Sequence, residues 1–439
     1  MAIVSAAWHA LKWRARNRFR TPEQLRAHNL ARFQQWLQWA VERSPYYADV
    51  CRKGRIDPAK ARPEDLPILT KRDLIENFDR ICTSQRVHRE AVAAFLARSR
   101  DPRELFHDRY HVVHSSGTSG EVCFVVYNRR EWMHGTANFM RVVLPGLGRK
   151  VAFVGATNGH FAAVALATAP TAPGIGLLYR IRAFHVNLPT PEIVRAIDAY
   201  RPRVLVGYAG ALRILAEAKR RGELKIRPRL VVSSGEVLLP QDRVFLKETF
   251  GVPVRNLYAS TEHLYMAVDL PERRGEGMYL IEDDLMFELR DDCTLVTNLF
   301  NMTVPLLRYR MDDILRPAAG RFGPYRIVET LVGRKEHAPV FVNARGEQDS
   351  IHPIVLAEFY VRGVAAFQFR LTGPDSFRFL AQVEEGVHAG EVEAEIAARL
   401  RHLLAEKGMA NVRFTIERVP SLTPDPDTGK FRLIVPAGV

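Results

Sequence analysis

The first fifth of the chain alternates apolar and polar residues at a helical period. Between Glu23 and Arg43 the apolar positions that define this period are Leu25, Leu30, Phe33, Trp36, Leu37 and Val41. Spacings of three and four residues place such side chains on one face of an amphipathic helix. Similar stretches, separated by polar joints, continue to about residue 80. The pattern therefore predicts that the chain begins with a helical region.

After Tyr110 the pattern changes to short apolar runs. Four of these runs cover residues 123–127, 151–154, 204–206 and 230–232, and helical patterns occupy 191–200 and 211–221 between the last three. Strands that alternate with helices are typical of α/β units around a parallel sheet. From about residue 275 to 316 the runs lie closer together and predict a smaller β-rich subdomain.

The last hundred residues predict a unit of a different kind. Apolar runs at 339–342, 367–371, 377–383 and 412–419 surround a helical pattern at 390–407. A segment of this size can fold as a domain of its own. We therefore predict an α/β fold with mixed, largely parallel sheets and a β-rich subdomain over residues 1–333. A hinge at 334–336 would lead to a small, mobile α+β domain at 337–439.

The charge of the chain calls for an anionic partner. Its 439 residues carry a formal net charge of +14, spread as short basic pairs and not as a tail. No basic block with interleaved aromatic residues is present, so we do not expect nucleic acid to be the main ligand. A polyphosphate ligand, coenzyme A, an acidic carrier protein and a membrane surface all stay open. The oligomeric state is not indicated by the sequence.

Two segments bear on membranes and on location. The first twenty residues have the pattern of a basic amphipathic helix, which would either contact a membrane peripherally or dock on its own domain. Residues 151–179 contain no charged side chain, but Asn158, Pro170 and several glycines interrupt them, so buried strands fit better than a membrane span. No secretory signal is recognisable, and the four cysteines are scattered. These features predict a cytoplasmic protein.

The first candidate for chemistry is a run of small and hydroxyl residues. Ser115, Ser116, Gly117, Thr118, Ser119 and Gly120 follow the apolar triplet 111–113. Glycines let a backbone curl so that successive N–H groups converge on an anion, and the hydroxyls add donors for phosphate oxygens. No G-x-x-x-x-G-K-[ST] loop occurs in the chain. Taken alone, such a run is as consistent with an ordinary turn.

This run is followed by further motifs in a fixed order. They are Ser234-Gly235-Glu236, Asn256-Leu257-Tyr258-Ala259-Ser260-Thr261-Glu262, Tyr309-Arg310-Met311-Asp312-Asp313, Gly333-Arg334 and Gly429-Lys430-Phe431-Arg432. In this order the set resembles the adenylate-forming superfamily of acyl-CoA synthetases and peptide-synthetase adenylation domains. The runs Ser44-Pro45-Tyr46-Tyr47, 66–74 and Val206-Gly207-Tyr208 further resemble the phenylacetate–CoA ligase branch. These matches span residues 44 to 432.

The resemblance implies that most of these residues bind ATP. The loop 115–120 would hold the phosphates that leave as pyrophosphate, and Gly235 and Glu236 would line the adenine pocket. Asn256, Tyr258, Ala259 and Ser260 would complete the nucleotide site, with Tyr258 as a stacking face. Asp313 and Arg334 would bind the ribose.

The catalytic and substrate residues follow from the same resemblance. Thr261 would donate to the α-phosphate, and Glu262 would bind Mg²⁺. Lys430 would bridge the carboxylate of the substrate and the α-phosphate as negative charge develops. Tyr208, Ala209 and Ser260 would bind the acid, and Glu336 would be the hinge residue.

The activity implied is ATP-dependent activation of a carboxylic acid, in this branch an aryl or arylacetic acid, followed by transfer to the thiol of coenzyme A. Alternatives within the superfamily are transfer to a carrier-protein thiol, an amine or a hydroxyl, and transfer of AMP itself to a hydroxyl. A non-catalytic binding relative is a further alternative. The chain departs from the usual pattern at Glu121 beside the phosphate loop, at Asp312 and at Glu336.

Overall fold

The computed structural model describes residues 19–435 with gaps. The residues within this range that it leaves undescribed are 115–122, 143–148, 158, 169–178, 271–276, 312, 330–337, 352–354, 357–358, 360, 362, 385, 421 and 423–432. The predicted phosphate loop 115–120, Glu121, Asp312, Arg334, Glu336, Lys430 and the first eighteen residues therefore lie outside the described residues. The domain boundary at 333–337 falls in the same category and stays a prediction.

Five α-helices lie in the amino-terminal region from residue 19 onward. They are α1 (Pro22–Arg43), α2 (Pro45–Gly54), α3 (Lys71–Glu76), α4 (Phe78–Ile81) and α5 (Arg89–Arg98). Thr21 caps α1 by accepting a hydrogen bond from Gln24, and the predicted apolar face of this helix is buried at Leu25, Phe33 and Leu37. Tyr47 is buried, and its hydroxyl donates to the carbonyl of Pro305 at 2.8 Å. The helical region is thereby hydrogen-bonded to the loop that precedes the motif at residues 309–313.

A nine-stranded mixed sheet forms the centre of the molecule, in the order β13-β14-β9-β8-β7-β6-β5-β3-β4. Its strands are β3 (Arg149–Gly155), β4 (Tyr179–His185), β5 (Val204–Gly207), β6 (Leu230–Ser234), β7 (Val254–Ser260), β8 (Leu264–Asp269), β9 (Met278–Leu280), β13 (Pro317–Phe322) and β14 (Tyr325–Val328). The five strands from β4 to β7 are parallel, and the others continue antiparallel from β7. The sheet is thus mixed, as predicted.

Helices connect the parallel strands, as the alternation of patterns predicted. They are α7 (Ala162–Thr168), α8 (Thr190–Tyr200), α9 (Ala209–Arg220) and α10 (Pro240–Phe250). Because connected strands of this kind run in one direction, their carboxyl ends meet at one edge of the sheet. The motifs at residues 208, 234–236 and 256–262 all lie at that edge. The fold therefore collects them in one place.

Two smaller sheets flank this edge. The hairpin of β1 (Tyr110–His114) and β2 (Phe124–Asn128) is followed by α6 (Arg129–Ala137), and β10 (Leu285–Leu289), β11 (Thr294–Asn298) and β12 (Tyr309–Met311) form a three-stranded antiparallel sheet. The latter corresponds to the predicted β-rich subdomain. The backbone of Leu69 bonds to residues on both sides of Tyr309, at Arg308 and Arg310. The predicted motif at 66–74 therefore lies beside the strand that leads to Asp313.

The carboxyl-terminal residues form a separate sheet. Its strands, in spatial order, are β19 (Arg413–Arg418), β18 (Ser376–Val383), β17 (Val364–Gly373) and β20 (Ile434–Val435), with α11 (Ala389–Glu406) between β18 and β19. A short hairpin, β15 (Val340–Val342) with β16 (Gln348–Ser350), precedes them. The predicted α+β unit is therefore present over the described part of 338–435.

This unit is docked on the large sheet through a buried polar interface. Lys407 is 2% exposed, and its ammonium donates to the carbonyl of Leu188 at 3.0 Å and lies 3.2 Å from Asp349. The amide of Asn187, which is fully buried, donates to the carbonyl of Leu403 at 2.8 Å. Thr190 donates to Asp349 as well. Apolar residues of both parts form one continuous core around this interface.

Candidate functional site

The carboxyl edge of the parallel strands brings the predicted nucleotide residues together. Tyr208 follows β5, Gly235 follows β6, Ser260 ends β7, and Thr261 follows it. Gly235 has a φ of +82°, and a Cβ at this position would lie 2.8 Å from the Tyr208 ring. Only glycine fits both the left-handed backbone and the close contact. The Ser-Gly-Glu motif thus owes its glycine to the wall that Tyr208 forms.

Three of the predicted residues occupy supporting positions at this edge. The carboxylate of Glu236 accepts a hydrogen bond from the N–H of Gly210 at 2.9 Å, at the amino end of α9. A carboxylate is favoured there by the unpaired N–H groups of the first helical turn. Ala209 and Asn256 are buried, at 4% and 5% exposure. The structure therefore gives Glu236 a helix-capping contact beside its predicted place at the adenine pocket.

Tyr258 and Asp313 meet although 55 residues separate them in the chain. The Tyr258 hydroxyl donates to the Asp313 carboxylate at 2.6 Å. Burial and the neighbouring carboxylate raise the pKa of Tyr258 well above its ordinary value, so the phenol stays protonated and remains a donor. The pair joins the predicted stacking face to the predicted ribose acceptor.

Glu262 lies at the same edge, after Thr261. Burial raises the pKa of its carboxyl, and the negative charge of Asp313 acts in the same direction, whereas the positive charge of Lys71 lowers it. Lys71 is the first residue of α3. A cation bound beside Glu262 would offset the cost of ionising a carboxyl in this partly buried position.

Tyr127 forms hydrogen bonds to the backbone of Thr261 and Glu262. This side chain is fully buried, and its hydroxyl lies 3.1 Å from the carbonyl of Thr261 and 2.8 Å from that of Glu262. Tyr127 belongs to β2, the strand that follows the predicted phosphate loop. The hairpin on either side of that loop is therefore tied directly to the two residues predicted to bind the α-phosphate and the cation.

A cavity of about 230 Å³ opens at this cluster and extends along β3 and β4. Its polar end is formed by Ser234, Gly235, Ser260 and Thr261, and Tyr208 lines it, whereas Ala209 is not among its lining residues. Its remaining walls are largely apolar and aromatic, with contributions from Phe139, Val151, Phe153, Phe161, Leu166, Tyr179, Ile181, Val206 and Tyr265. Among the residues described as lining the cavity there is no lysine, arginine, aspartate or glutamate.

Sequence reasoning did not identify most of this cavity. Its wall comes from β3, α7 and β4, which belong to the uncharged stretch 151–179 and its continuation. Val151 and Phe153 are two residues apart, as are Tyr179 and Ile181, so each pair faces one side of the sheet. The absence of charged residues between positions 151 and 179 was the available signal. We interpreted it as burial in a core, not as the wall of a binding site.

The histidines near β1 have different surroundings. His111 stacks on Trp132 at 4.5 Å, and burial lowers its pKa to about 3. His160 lies 3.0 Å from the hydroxyl of Ser99. Both side chains are buried. His114, in contrast, lines the cavity and contacts Phe161.

The donor chemistry of the site fits a magnesium ion that is shared with a nucleotide. Glu262 and Asp313 supply hard oxygen donors, and Mg²⁺ is commonly held by one or two carboxylates together with phosphate oxygens. Within the described residues no group of three histidine, cysteine, aspartate or glutamate side chains converges on one point. A cation held by protein ligands alone is therefore not indicated here.

Comparison with known proteins places this arrangement. No family model matches the chain. Protein CapK of Staphylococcus aureus is 23% identical over 295 residues, which are 64% of this chain and 61% of CapK, so the similarity spans less than two thirds of that relative. Two crystal structures of 2-hydroxyisobutyryl-CoA ligase are similar over most of their length, each at 19% identity. One, in the postadenylation state with R3-HIB-AMP, has a TM-score of 0.56 and covers 93% of this chain and 89% of its own. The other, with 2-HIB-AMP and CoA in the thioesterification state, has a TM-score of 0.58 and covers 94% and 90%.

The chain therefore has the fold of the adenylate-forming enzymes. The resemblance predicted from the motifs is confirmed at this level. The phenylacetate–CoA ligase branch stays a prediction. None of the helices in the described part of the chain combines the length and the apolar character needed to cross a membrane.

Proposed function

We propose that this protein activates a carboxylic acid with ATP and transfers the acyl group to a thiol. In the first step a carboxylate oxygen of the acid attacks the α-phosphorus of ATP, and pyrophosphate leaves. In the second step a thiol attacks the carbonyl carbon of the acyl-adenylate, its proton is released, and AMP leaves. The observation that carries the proposal is the position of the apolar cavity, which ends at Ser260, Thr261 and Gly235.

The residues of the polar cluster have matching roles in this proposal. Tyr258 and Asp313 would hold the adenosine, and Thr261 would donate to the α-phosphate. Glu262 would bind the Mg²⁺ that accompanies ATP and supplies positive charge to its phosphates. Lys430, which lies outside the described residues, would stabilise the negative charge that develops between the acid and the α-phosphate.

The cavity supports as the substrate an aromatic acid that carries no charge other than its carboxylate. Aromatic side chains from β3, β4 and β8, together with Phe139 and Phe161, line its apolar part. Aromatic rings favour stacked or edge-on contacts with one another. A second charge on the acid would be buried without a partner among the described lining residues, which is costly. An aryl or arylacetic acid therefore fits better than a dicarboxylic or basic acid.

Coenzyme A is the acceptor that the proposal favours. Both ligase structures reported above are named as CoA ligases, and one contains CoA together with 2-HIB-AMP. The surplus of positive charge on this chain also suits the phosphates of coenzyme A.

The test is direct detection of both products. The purified protein is incubated with ATP, Mg²⁺ and aryl, arylacetic, aliphatic and dicarboxylic acids, with and without coenzyme A, and the acyl-adenylate and thioester are measured by mass spectrometry. We expect an aromatic acid with no second charged group to give both products. If no acid gives an adenylate while ATP binds, the proposed function is wrong. If an adenylate forms but no thioester appears, the thiol is wrong and the adenylation stands.

A variant that changes only the acid pocket separates substrate binding from catalysis. Ile181 lines the cavity, whereas Arg182 of the same strand faces the opposite side of the sheet. Ile181→Phe should raise the KM for the acid at least about tenfold by filling the cavity, and should leave the KM for ATP unchanged. Arg182→Phe is the matched control and should leave the KM for the acid unchanged.

A further inference from the structure

The amino ends of the parallel strands, opposite the candidate site, carry a row of arginines. Arg203 precedes β5 and Arg229 precedes β6, and the backbone N–H groups of these two residues donate to Lys150 and Arg203, each at 2.8 Å. These residues are therefore neighbours across adjacent strands, about 5 Å apart along the row. Arg201 and Arg227 lie two residues earlier in the chain. All four arginines are exposed.

The row continues onto the edge strand. Arg180 and Arg182 of β4 are exposed on the face of the sheet that is turned away from the cavity. The guanidinium of Arg182 lies 5.1 Å from the ring of Phe184 and 5.9 Å from that of Tyr200. We call the set formed by Arg180, Arg182, Arg201, Arg203, Arg227 and Arg229 the basic edge.

The charges of the basic edge are not balanced locally. Within the described residues no carboxylate lies within 4.0 Å of any of these six guanidinium groups, whereas exposed arginines such as Arg26, Arg52 and Arg103 each pair with one. The acidic residue near this edge, Asp198, accepts a hydrogen bond from the backbone N–H of Lys225. Six like charges on one rim repel one another, so an anionic partner would relieve an unfavourable interaction.

Protection of a sheet edge explains only part of this set. Charged residues on an edge strand prevent pairing with another sheet, and Arg180 and Arg182 serve that purpose on β4. Arg203 and Arg229, however, precede strands with a neighbour on both sides. Arg201 and Arg227 lie outside any strand. A separate explanation is needed for these four residues.

An acyl acceptor does not fit this position. The acid carboxylate is activated at the carboxyl ends of the strands in the proposed function, whereas the basic edge lies at their amino ends. The seven residues of β3 separate the two by about 20 Å. A carrier protein bound to the basic edge would therefore present its thiol on the wrong side of the sheet.

We propose that the basic edge binds the surface of an anionic lipid bilayer. A row of cations at β4, β5 and β6 suits an extended surface of uniform negative charge, and each basic residue near such a surface contributes to binding. Nucleic acid is the competing partner. A single strand is disfavoured because the half-buried Tyr200 ring beside Lys150 and Arg182 donates its hydroxyl to the Arg180 carbonyl and is not a free stacking platform. A duplex is distinguished by the experiment. Exposed aromatic platforms are a common feature of single-strand binding.

The experiment measures partition of the full chain onto vesicles. Vesicles of phosphatidylcholine alone are compared with vesicles that also contain phosphatidylglycerol, by sedimentation over a range of salt concentrations. The test variant is Arg203→Gln/Arg227→Gln/Arg229→Gln, and the control Lys53→Gln/Arg345→Gln/Arg401→Gln removes the same charge from exposed positions without described ion pairs. We expect binding to anionic vesicles only, weakened by salt, and about 100-fold weaker in the test variant but little changed in the control.

Three results would overturn the proposal. The first is equal partition onto neutral and anionic vesicles, or none onto either. The second is an equal loss of binding in the test and control variants, which would indicate net charge and not the basic edge. The third is tighter binding to duplex DNA than to anionic vesicles at the same salt, lost in the test variant, which would assign this surface to nucleic acid.

Discussion

At the scale of single residues, the hydrogen bond between Tyr258 and Asp313 has a direct consequence for nucleotide binding. The phenol orients the carboxylate that is predicted to accept the ribose hydroxyls. Tyr258→Phe keeps the aromatic face and removes this bond, so we expect ATP affinity to fall less than about tenfold, the value of one hydrogen bond. Tyr258→Ala removes both features and should cost more. Calorimetric titration with ATP measures both variants, and equal affinities in the two would contradict the assigned stacking role.

The raised pKa of Glu262 predicts the acidic limb of the pH–rate profile. Only the ionised carboxylate binds a cation, so adenylate formation should fall as the pH is lowered, starting above the range of an ordinary glutamate. Because the charge of Lys71 lowers this pKa, Lys71→Met should move the limb to higher pH. Because Mg²⁺ competes with the proton, more Mg²⁺ should move it to lower pH. Steady-state rates at several pH values and Mg²⁺ concentrations test this. If neither Lys71→Met nor the Mg²⁺ concentration moves the acidic limb, Glu262 does not bind the cation.

At the scale of secondary-structure elements, Glu131 connects three parts of the fold that supports the site. It caps α6 by accepting from the N–H of Asn128 at 2.7 Å, and it accepts from the N–H groups of Met302 and Thr303, each at 3.0 Å, and from the Thr303 hydroxyl. It is 4% exposed. Four donors around one buried carboxylate make it a rigid link between α6 and the loop before β12.

Glu131→Gln should therefore destabilise the protein. The amide NH₂ cannot accept the bonds that one carboxylate oxygen accepts, so two buried donors would lose their acceptor, at a cost of roughly 2–4 kcal/mol. Glu42→Gln is the matched control, because Glu42 is exposed and pairs only with Arg43, and it should change stability by less than about 0.5 kcal/mol. Urea unfolding followed by circular dichroism gives both values. Equal stabilities in the two variants would show that the hydrogen bonds of Glu131 between α6 and the loop before β12 do not contribute to the stability of the fold.

The elements themselves follow well from the sequence, but their order does not. Helix α1 and strands β3, β5 and β6 lie where the apolar periods predicted them. The position of β3 between β4 and β5, and the pairing of β14 with β9, depend on contacts distant in the chain, and local periodicity carries no information about them. For the same reason the motifs around Tyr258 and Asp313 were found separately, whereas their hydrogen bond was not. The cavity wall was missed because an apolar side chain that lines a cavity and one that fills a core look alike in a sequence.

At the scale of the whole molecule, the carboxyl-terminal unit is docked through a continuous apolar core and a few buried polar contacts. Proposed catalysis needs Lys430 near the α-phosphate in the first step, and a thiol near the same carbonyl in the second. We therefore still predict that this unit rotates about Glu336 between the steps. Any rotation must break the contacts of Lys407 with Leu188 and Asp349, and that of Asn187 with Leu403.

Lys407→Ala should shift the molecule away from the docked position. It removes a buried ammonium and its contacts with Leu188 and Asp349, which stay in place without it. Loss of such a contact typically costs a few kcal/mol, enough to change a two-state population more than about tenfold. Energy transfer between one label on each unit measures the distance distribution. Arg401→Ala, in the helix α11 that ends just before Lys407, is the control, because Arg401 is exposed, and it should leave the distribution unchanged. An unchanged distribution in Lys407→Ala would show that this interface does not hold the docked position.

The central claim is that the chain activates a carboxylic acid, and acid-dependent exchange of pyrophosphate into ATP tests it most directly. The wild-type protein should exchange pyrophosphate only when ATP, Mg²⁺ and a suitable acid with no second charged group are present together. Lys430→Ala should lower the rate by roughly 10²–10³, the usual effect of removing one positioned charge donor, without loss of ATP binding. Exchange that needs no acid, or that is as fast in Lys430→Ala as in the wild type, would contradict the account.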